Sequence, residues 1–325
     1  MNTLTVDLLD NLIKPEPRLP WITKWLVNEV WTSEIYNKLS PEEYLVCGEE
    51  KVHNFEEMLS VSSERFYNEL SSAASEHKTI IDSIDSDTAV VVFDGASLRE
   101  IPIILNKASE SGYKVIEKSV SFAALPSKTL DFVEQKLIGK PVTPKNLPQR
   151  KELKEKNIKA YYFDDVVTTR QIESSNGEKI LMWSAFPDNT YQDYDAKFAR
   201  HFSEIQTLFD SAWRNTVMQI HRKKRIIITS DHGYIFFGAG FESTRPSDAC
   251  NILEQDRAKS FSENEKMPDE IENPELQIFT DRRLAMVRGR IKNRPKGPSS
   301  NKAYRHGGLS LMEMIVPWIV IEKER

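Results

Sequence analysis

The chain has 325 residues, of which 39% are hydrophobic, 10% aromatic and 29% charged, and its formal net charge is −5. These values are typical of a globular protein with a sizeable core, and the negative balance excludes a uniformly basic nucleic-acid-binding coat. No apolar run approaches the roughly 18–20 residues of a membrane span, and no signal peptide is expected at the N-terminus. The two cysteines, Cys47 and Cys250, form no metal-ligand pair, so we expect a reduced, cytoplasmic protein without membrane contacts.

The N-terminal part of the chain, residues 1–85, is predicted to be helical. In residues 1–85, apolar side chains recur at three- and four-residue intervals, for example in WITKWLVNEVW, which predicts amphipathic helices. Nothing in these residues carries recognisable chemistry. We interpret residues 1–85 as a helical accessory region, or alternatively as one that binds a partner.

From residue 86 to residue 325, buried strands alternate with helices. This alternation predicts an α/β fold with a doubly wound, mainly parallel sheet covered on both faces. The predicted strands are 88–93, 113–118, 159–163, 179–186, 225–230 and 317–322, and the predicted helices are 97–110, 128–138, 195–221 and 310–315.

A long insertion is predicted at about 241–305, where apolar periodicity is weak and Pro, Asn, Ser and charged residues are frequent. Segments of this length inside a domain are usually functional or disordered. The part from Arg282 to Arg305 contains many Lys and Arg residues and no acid. It is either a solvated basic loop or a surface that contacts phosphates, and the candidate contacts are Arg288, Arg290, Lys292, Arg294 and Lys296.

Three segments end in side chains that bind metals. Asp94 follows VVVF, Asp231 and His232 follow RIIITS, and His306 precedes two glycines. In open α/β sheets, ligands bind beyond the carboxyl ends of the strands. A structural turn is an alternative at each of the two strand ends, but together the three segments predict a divalent-metal site for phosphate chemistry.

A nucleophile for such chemistry is a hydroxyl group activated by a bound cation. The candidates are Ser97, Ser127 and Thr129. Thr129 is predicted at the start of a helix after Pro126, where free backbone N–H groups favour a phosphate. An ordinary helix cap is an equal alternative for Thr129.

Four motifs together, VVVFDGASLRE, ALPSKT, TSDHGY and RHGGLSLMEMIVP, resemble the PglZ family of the alkaline phosphatase superfamily over about residues 86–325. The resemblance implies an alkaline-phosphatase-type α/β fold with two divalent metals, commonly zinc, with manganese or magnesium as alternatives. It also implies that Thr129 is the nucleophile, because residues 126–129 resemble the Pro-Thr-Lys-Thr-like segment of the superfamily's phosphodiesterases.

The resemblance further implies a set of metal ligands. One metal would be bound by Asp94, Thr129, Asp231 and His232, and the other by His306 and Asp188.

The sequence departs from the superfamily pattern near Asp188, because the histidine usually found there is missing. Gln192, Asp193 or the more distant His201 are candidates to replace it. Arg99 matches an arginine that is common in PglZ relatives, and it is either a phosphate contact or a surface charge.

The residues predict a divalent-metal site for phosphate chemistry, and the resemblance implies that the protein is a metal-dependent phosphodiesterase or nuclease. The family resemblance adds a nucleic acid or oligonucleotide substrate, a role in bacterial anti-phage defence, and other defence-system subunits as partners of the N-terminal helices. One alternative is a scaffold or nucleic-acid-binding subunit that has lost catalysis, and the other is a phosphomonoesterase for a small substrate.

Overall fold

The computed structural model describes residue 12 and residues 17–62, 64–76, 79–164, 171–172, 177–191, 198–237, 240–243, 248–254, 256–291 and 304–324. Its strands are β1 (Thr88–Phe93), β2 (Tyr113–Phe122), β3 (Ile158–Phe163), β4 (Lys179–Ser184), β5 (Arg225–Thr229), β6 (Ile235–Phe236), β7 (Ala258–Ser260), β8 (Leu276–Phe279), β9 (Leu284–Val287), β10 (Tyr304–Arg305) and β11 (Ile315–Lys323).

Six of these strands form the central sheet, in the order β2-β11-β5-β1-β4-β3. The pairs β3–β4, β4–β1 and β1–β5 are parallel, and β11 is antiparallel to both β5 and β2. The predicted α/β fold with a mainly parallel sheet is therefore confirmed. Because β1, β4 and β5 are adjacent and parallel, the residues that follow them meet at one edge of the sheet.

Helices surround this sheet. The α-helices are α1 (Leu19–Trp25), α2 (Ser33–Lys38), α3 (Pro41–Ser62), α4 (Glu64–Ser75), α5 (Ile101–Glu110), α6 (Thr129–Phe132), α7 (Lys151–Glu155), α8 (Asp188–Tyr191), α9 (Phe198–Asn215), α10 (Ala249–Ile252) and α11 (Leu311–Met314). Two of them continue as π-helical turns, α1 over Leu26–Val30 and α6 over Val133–Ile138. Among the described residues, none of the helices is long and apolar enough to cross a membrane.

The two faces of the sheet contribute to two separate hydrophobic clusters. Alternate residues of β1 point to opposite faces, so Val91 packs in one cluster and Val90 in the other. The cluster around Val91 includes Trp25 and Phe55 from the N-terminal helices, and the cluster around Val90 includes Phe132 of α6. The helices predicted for residues 1–85 are thus present, and they share one core with the sheet.

Buried ion pairs join α3 to the rest of the molecule. Glu49 and Glu56 lie seven residues apart and therefore on the same face of α3. Arg99 contacts Glu49 at 2.6 Å, and Arg290 contacts Glu49 at 2.7 Å and Glu56 at 2.6 Å. All four side chains are fully or almost fully buried. Removing one partner of such a pair costs about 3–5 kcal/mol, because a charge is left buried alone.

The insertion contains a small antiparallel sheet, in the order β7-β9-β8, with its own cluster of apolar residues. The sequence did not reveal these strands because each has only three or four residues, too few to show a period of two. The sheet is tied to the His306 segment by hydrogen bonds from Leu309 N to Val287 O (2.9 Å) and from Gly289 N to Leu309 O (3.0 Å).

Candidate metal centre

The turn after β1 places Asp94 beside Asp188. The Asp188 amide donates to the Asp94 carbonyl at 2.9 Å. Gly95 has a φ of +73°, and a Cβ there would lie 3.0 Å from Cβ of Asp188. Only glycine adopts this left-handed conformation without strain, so Gly95 allows the two carboxyl groups to approach.

The turn after β5 delivers Asp231 and His232, both fully buried. The Gly95 amide donates to Oδ1 of Asp231 at 3.0 Å, which joins this turn to the one after β1. Nδ1 of His232 lies 3.0 Å from the carbonyl oxygen of Gly233. This carbonyl can only accept, so Nδ1 carries the proton and Nε2 keeps its lone pair for a ligand role.

The third segment brings His306 against His232. The two imidazole rings stack with centroids 3.8 Å apart and an interplanar angle of 8°. Nδ1 of His306 lies 3.0 Å from the carbonyl oxygen of Ser127, so its Nε2 is also left with a lone pair. Burial and the neighbouring His232 lower the pKa of His306, which favours the neutral form that binds metals.

Thr129 lies next to these imidazoles. It is the first residue of α6, and its hydroxyl oxygen is 3.3 Å from Nε2 of His232. Because Nδ1 of His232 carries the proton, the threonine hydroxyl donates to Nε2. Of the three hydroxyl candidates, Ser97 is used in a capping box with Glu100, and the Ser127 hydroxyl donates to the Gly308 carbonyl.

The buried carboxylates are electrostatically unbalanced. Burial, together with the charges of Asp231 and Asp188, raises the pKa of Asp94 well above its usual value. Oδ1 of Asp94 and Oδ2 of Asp231 are buried and have no hydrogen-bond partner among the residues that the structure describes. Oxygen atoms in this condition are costly in a protein interior, and a bound cation would satisfy both of them.

The spacing of these atoms fits a divalent metal ion. Nε2 of His232 is 3.7 Å from Oδ1 of Asp94 and 3.5 Å from Oδ2 of Asp231. Two ligands bound to a tetrahedral zinc at about 2.1 Å are roughly 3.4 Å apart. Among the described residues, two groups each bring together one ligand atom per residue within 4.8 Å, and they are Asp94 with Asp231 and His232, and Asp188 with His232 and His306.

The structure therefore brings together the residues predicted for the first metal and places those predicted for the second beside them. The candidates for a replacement ligand near Asp188, which are residues 192 and 193 and the side chain of residue 201, lie outside the described parts of the chain.

Arg99 does not lie at this centre. Its side chain is fully buried, pairs with Glu49 and donates to the Tyr234 carbonyl at 3.0 Å. Neither a phosphate contact nor a surface charge fits this position, so both interpretations of Arg99 were wrong. The sequence could not reveal this, because the partner Glu49 is 50 residues away.

Two of the five candidate phosphate contacts are also interior residues. Arg288 and Arg290 are 5% and 2% exposed. Arg288 forms an ion pair with Glu270, and Arg290 forms ion pairs with Glu49 and Glu56. Their assignment to a phosphate-binding surface is corrected for this reason. The other three, at positions 292, 294 and 296, lie outside the described residues.

Four residues hold the centre in place: sequence reasoning missed Trp183, Arg257 and Glu313, and it considered Ser127 only as a nucleophile. The indole Nε1 of Trp183 donates to Oδ2 of Asp94 at 3.0 Å. Ser127 Oγ accepts from the Gly307 amide at 2.9 Å and thereby ties the Thr129 segment to the His306 turn. Behind this turn, Arg257 and Glu313 form a fully buried pair with contacts of 2.6 and 2.7 Å. Of these residues, Trp183 could have been suspected from the sequence, because it lies in a predicted strand that ends shortly before Asp188.

No protein-family model and no curated protein matches the sequence. Solved structures with a similar course of the chain include murine ectonucleotide pyrophosphatase/phosphodiesterase 5, at 13% identity and a TM-score of 0.44 over 72% of this chain and 87% of that chain. The human protein of the same name has 12% identity and a TM-score of 0.42, over 72% of this chain and 87% of that chain. Phosphonoacetate hydrolase from Sinorhizobium meliloti 1021, in complex with phosphonoformate, has 12% identity and a TM-score of 0.40, over 71% of this chain and 89% of that chain. Similarity at this level carries no conclusion about activity.

Proposed function

We propose that this protein is a metal-dependent phosphoester hydrolase that cleaves phosphodiesters. The observation that carries the proposal is the convergence of two partnerless buried carboxylate oxygens and an imidazole nitrogen beside a threonine hydroxyl. A cation is the ligand that this set of atoms fits, and a hydroxyl next to a cation is the arrangement used for phosphoryl transfer.

Each residue has a defined part in the proposal. Asp94, Asp231 and His232 hold the first cation next to Thr129, and Asp188 and His306 hold a second. When bound, the cations supply positive charge that lowers the pKa of a hydroxyl and offsets charge on phosphoryl oxygens.

The reaction uses the Thr129 hydroxyl as nucleophile. Its oxygen forms a bond to phosphorus while the bond from phosphorus to the leaving oxygen breaks, and the hydroxyl proton passes to solvent. The leaving oxygen takes up a proton from water. A second water molecule then attacks the phosphothreonine, which releases a phosphomonoester and restores the threonine.

The finer assignment is a nucleic acid or oligonucleotide substrate. It rests on the resemblance to the PglZ family and on the basic residues of the insertion, of which Lys292, Arg294 and Lys296 remain candidates. The same resemblance is the basis for proposing a role in bacterial anti-phage defence, with zinc as the metal and other defence subunits as partners.

The test compares a chromogenic phosphodiester with the phosphomonoester of the same leaving group, then single-stranded DNA and RNA, each with added zinc or manganese and with chelator. We expect metal-dependent cleavage of the diester, which Thr129→Ala lowers by at least about 1000-fold. Thr207→Ala is the matched control, because this exposed threonine on α9 is remote in sequence and its hydroxyl donates to the Ser203 carbonyl one turn earlier at 3.2 Å.

Three outcomes would contradict parts of the proposal. Preference for the monoester would favour a phosphomonoesterase. Metal binding without hydrolysis of any substrate would favour a scaffold that has lost catalysis. Unchanged activity of Thr129→Ala would exclude the proposed nucleophile.

A further inference from the structure

We propose that Trp183 limits Asp94 to a single ligand oxygen and thereby makes the centre select zinc-like cations against calcium. This inference rests on the metal centre of the proposed function. It concerns a positioning residue, since Trp183 would act through Asp94 and would not touch the cation.

The indole is held rigidly. Trp183 is fully buried on β4 and stands in register with Val92 of β1, two residues before Asp94. Its ring packs edge-on against Phe132 with centroids 6.1 Å apart, and Phe132 ends the helix that begins at Thr129. Because the ring is fully buried and packs against Phe132, the surrounding side chains hold its N–H group toward Asp94.

The hydrogen bond divides the two oxygens of Asp94 into different roles. Oδ2 accepts from the indole N–H at 3.0 Å, whereas Oδ1 is buried without a partner and faces Nε2 of His232 at 3.7 Å. A bidentate carboxylate would need both oxygens directed at the cation. Turning Oδ2 toward a cation would leave the indole N–H buried and unsatisfied, at a cost of about 1–3 kcal/mol.

Asp231 is divided in the same way. Its Oδ1 accepts from the Gly95 amide at 3.0 Å, and its Oδ2 is buried without a partner, 3.5 Å from Nε2 of His232. The proposed first-cation site, Asp94 with Asp231 and His232, therefore presents one oxygen from each of its two carboxylates and one imidazole nitrogen. The same division at both carboxylates indicates that single-oxygen ligation is a property of this site.

This ligand set discriminates between cations. Zinc takes about four ligands and accepts nitrogen and single carboxylate oxygens. Calcium takes about six to eight oxygens, often with bidentate carboxylates. A centre whose carboxylates are each held to one oxygen by a fixed N–H donor offers calcium too few oxygens, so Trp183 contributes to the exclusion of calcium.

The test is calorimetric titration of metal-stripped protein with zinc, manganese and calcium, without substrate. Trp183→Phe keeps the ring packing and removes the donor. We expect its zinc dissociation constant to rise by about 10–100-fold, while calcium binding is kept or strengthened, so that the zinc-to-calcium affinity ratio falls by at least about tenfold.

The matched control is Trp213→Phe. Trp213 is also buried, and its Nε1 donates to Ser111 Oγ at 2.9 Å in another part of the molecule. An affinity ratio in Trp183→Phe equal to that of the control would overturn the inference and leave the metal centre standing. Wild-type protein that binds no zinc would overturn both the inference and the proposed function.

A second measurement does not depend on the variant. In a crystal structure of the zinc-loaded wild-type protein, we expect Asp94 to bind through Oδ1 alone with Oδ2 still accepting from Trp183. Both oxygens within bonding distance of zinc would refute the inference directly.

Discussion

Ser127→Ala is the most informative single substitution, because it removes the side-chain hydrogen bonds that connect the Thr129 segment to the His306 segment. The Ser127 hydroxyl is fully buried, donates to the Gly308 carbonyl at 2.9 Å and accepts from the Gly307 amide at 2.9 Å. Alanine leaves this amide buried without its acceptor, which costs about 1–3 kcal/mol. With the second hydrogen bond also lost, we expect a decrease of about 2–3 kcal/mol in the free energy of unfolding.

The expected change in melting temperature follows from the size of the chain. At about 2.1 cal/mol/K per residue, the unfolding entropy of 325 residues is roughly 0.7 kcal/mol/K, so Tm should fall by roughly 3–4 °C. Calorimetry of the metal-free protein measures this directly. Titration with zinc should in addition show weaker binding, because the Ser127 carbonyl that orients His306 shifts with the loosened segment.

The control is Ser119→Ala on the edge strand β2, where the hydroxyl donates to Glu117 at 2.6 Å and is partly exposed. A surface substitution of this kind changes the free energy of unfolding by less than about 0.5 kcal/mol. If Ser127→Ala matched this control in both Tm and zinc affinity, the hydroxyl would not connect the two segments and the reasoning would be wrong.

Three further predictions concern the same centre. Asp94→Asn should abolish zinc binding yet stabilise the metal-free protein at pH 7 by about 1–2 kcal/mol. Because the pKa of Asp94 is raised in the folded protein, its carboxylate destabilises the fold at pH values above the unfolded pKa of about 3.9, and this destabilisation declines as the pH falls. Equal stabilisation by Asp94→Asn in acid and at pH 7 would contradict this cause. Gly95→Ala should cost about 1–3 kcal/mol and weaken zinc binding, because it strains a φ of +73° and pushes on Asp188; normal calorimetric titrations would rule this out. Arg257→Met should destabilise by about 3–5 kcal/mol by leaving Glu313 buried alone, and chemical denaturation should show partial recovery when Glu313→Leu is added.

The strand ends of the site could be predicted from the sequence because each is a local pattern. An apolar run followed by Asp94, or by Asp231 and His232, shows both the buried strand and the polar residues at its end. The parallel arrangement of β1, β4 and β5 then decides that these residues meet. Thr129 was harder to place, because a helix start with a hydroxyl is equally typical of a cap, and it was the family resemblance that favoured it.

The basic residues were misjudged because charge in a sequence does not show burial. Arg99 and Arg290 look like solvent-exposed cations until their partner Glu49 is known, and Arg290 lies 241 residues from it. The supports of the metal centre were missed for a related reason. Trp183 acts through a hydrogen bond to a residue 89 positions away, and Ser127 through hydrogen bonds to residues 180 and 181 positions away, and no periodicity in the sequence reveals such contacts.

The buried cations have a consequence for any shortened form of this protein. Deleting residues 1–85 would remove Glu49 and Glu56. Arg99 and Arg290 would then be left without these partners, at a cost to the free energy of unfolding of several kcal/mol for each arginine that stays buried. The change in sequence texture at residue 85 therefore makes a poor cutting point. A shortened form would have to replace both arginines with apolar residues at the same time, and the N-terminal helices are better treated as part of one folded unit with the sheet than as a detachable segment.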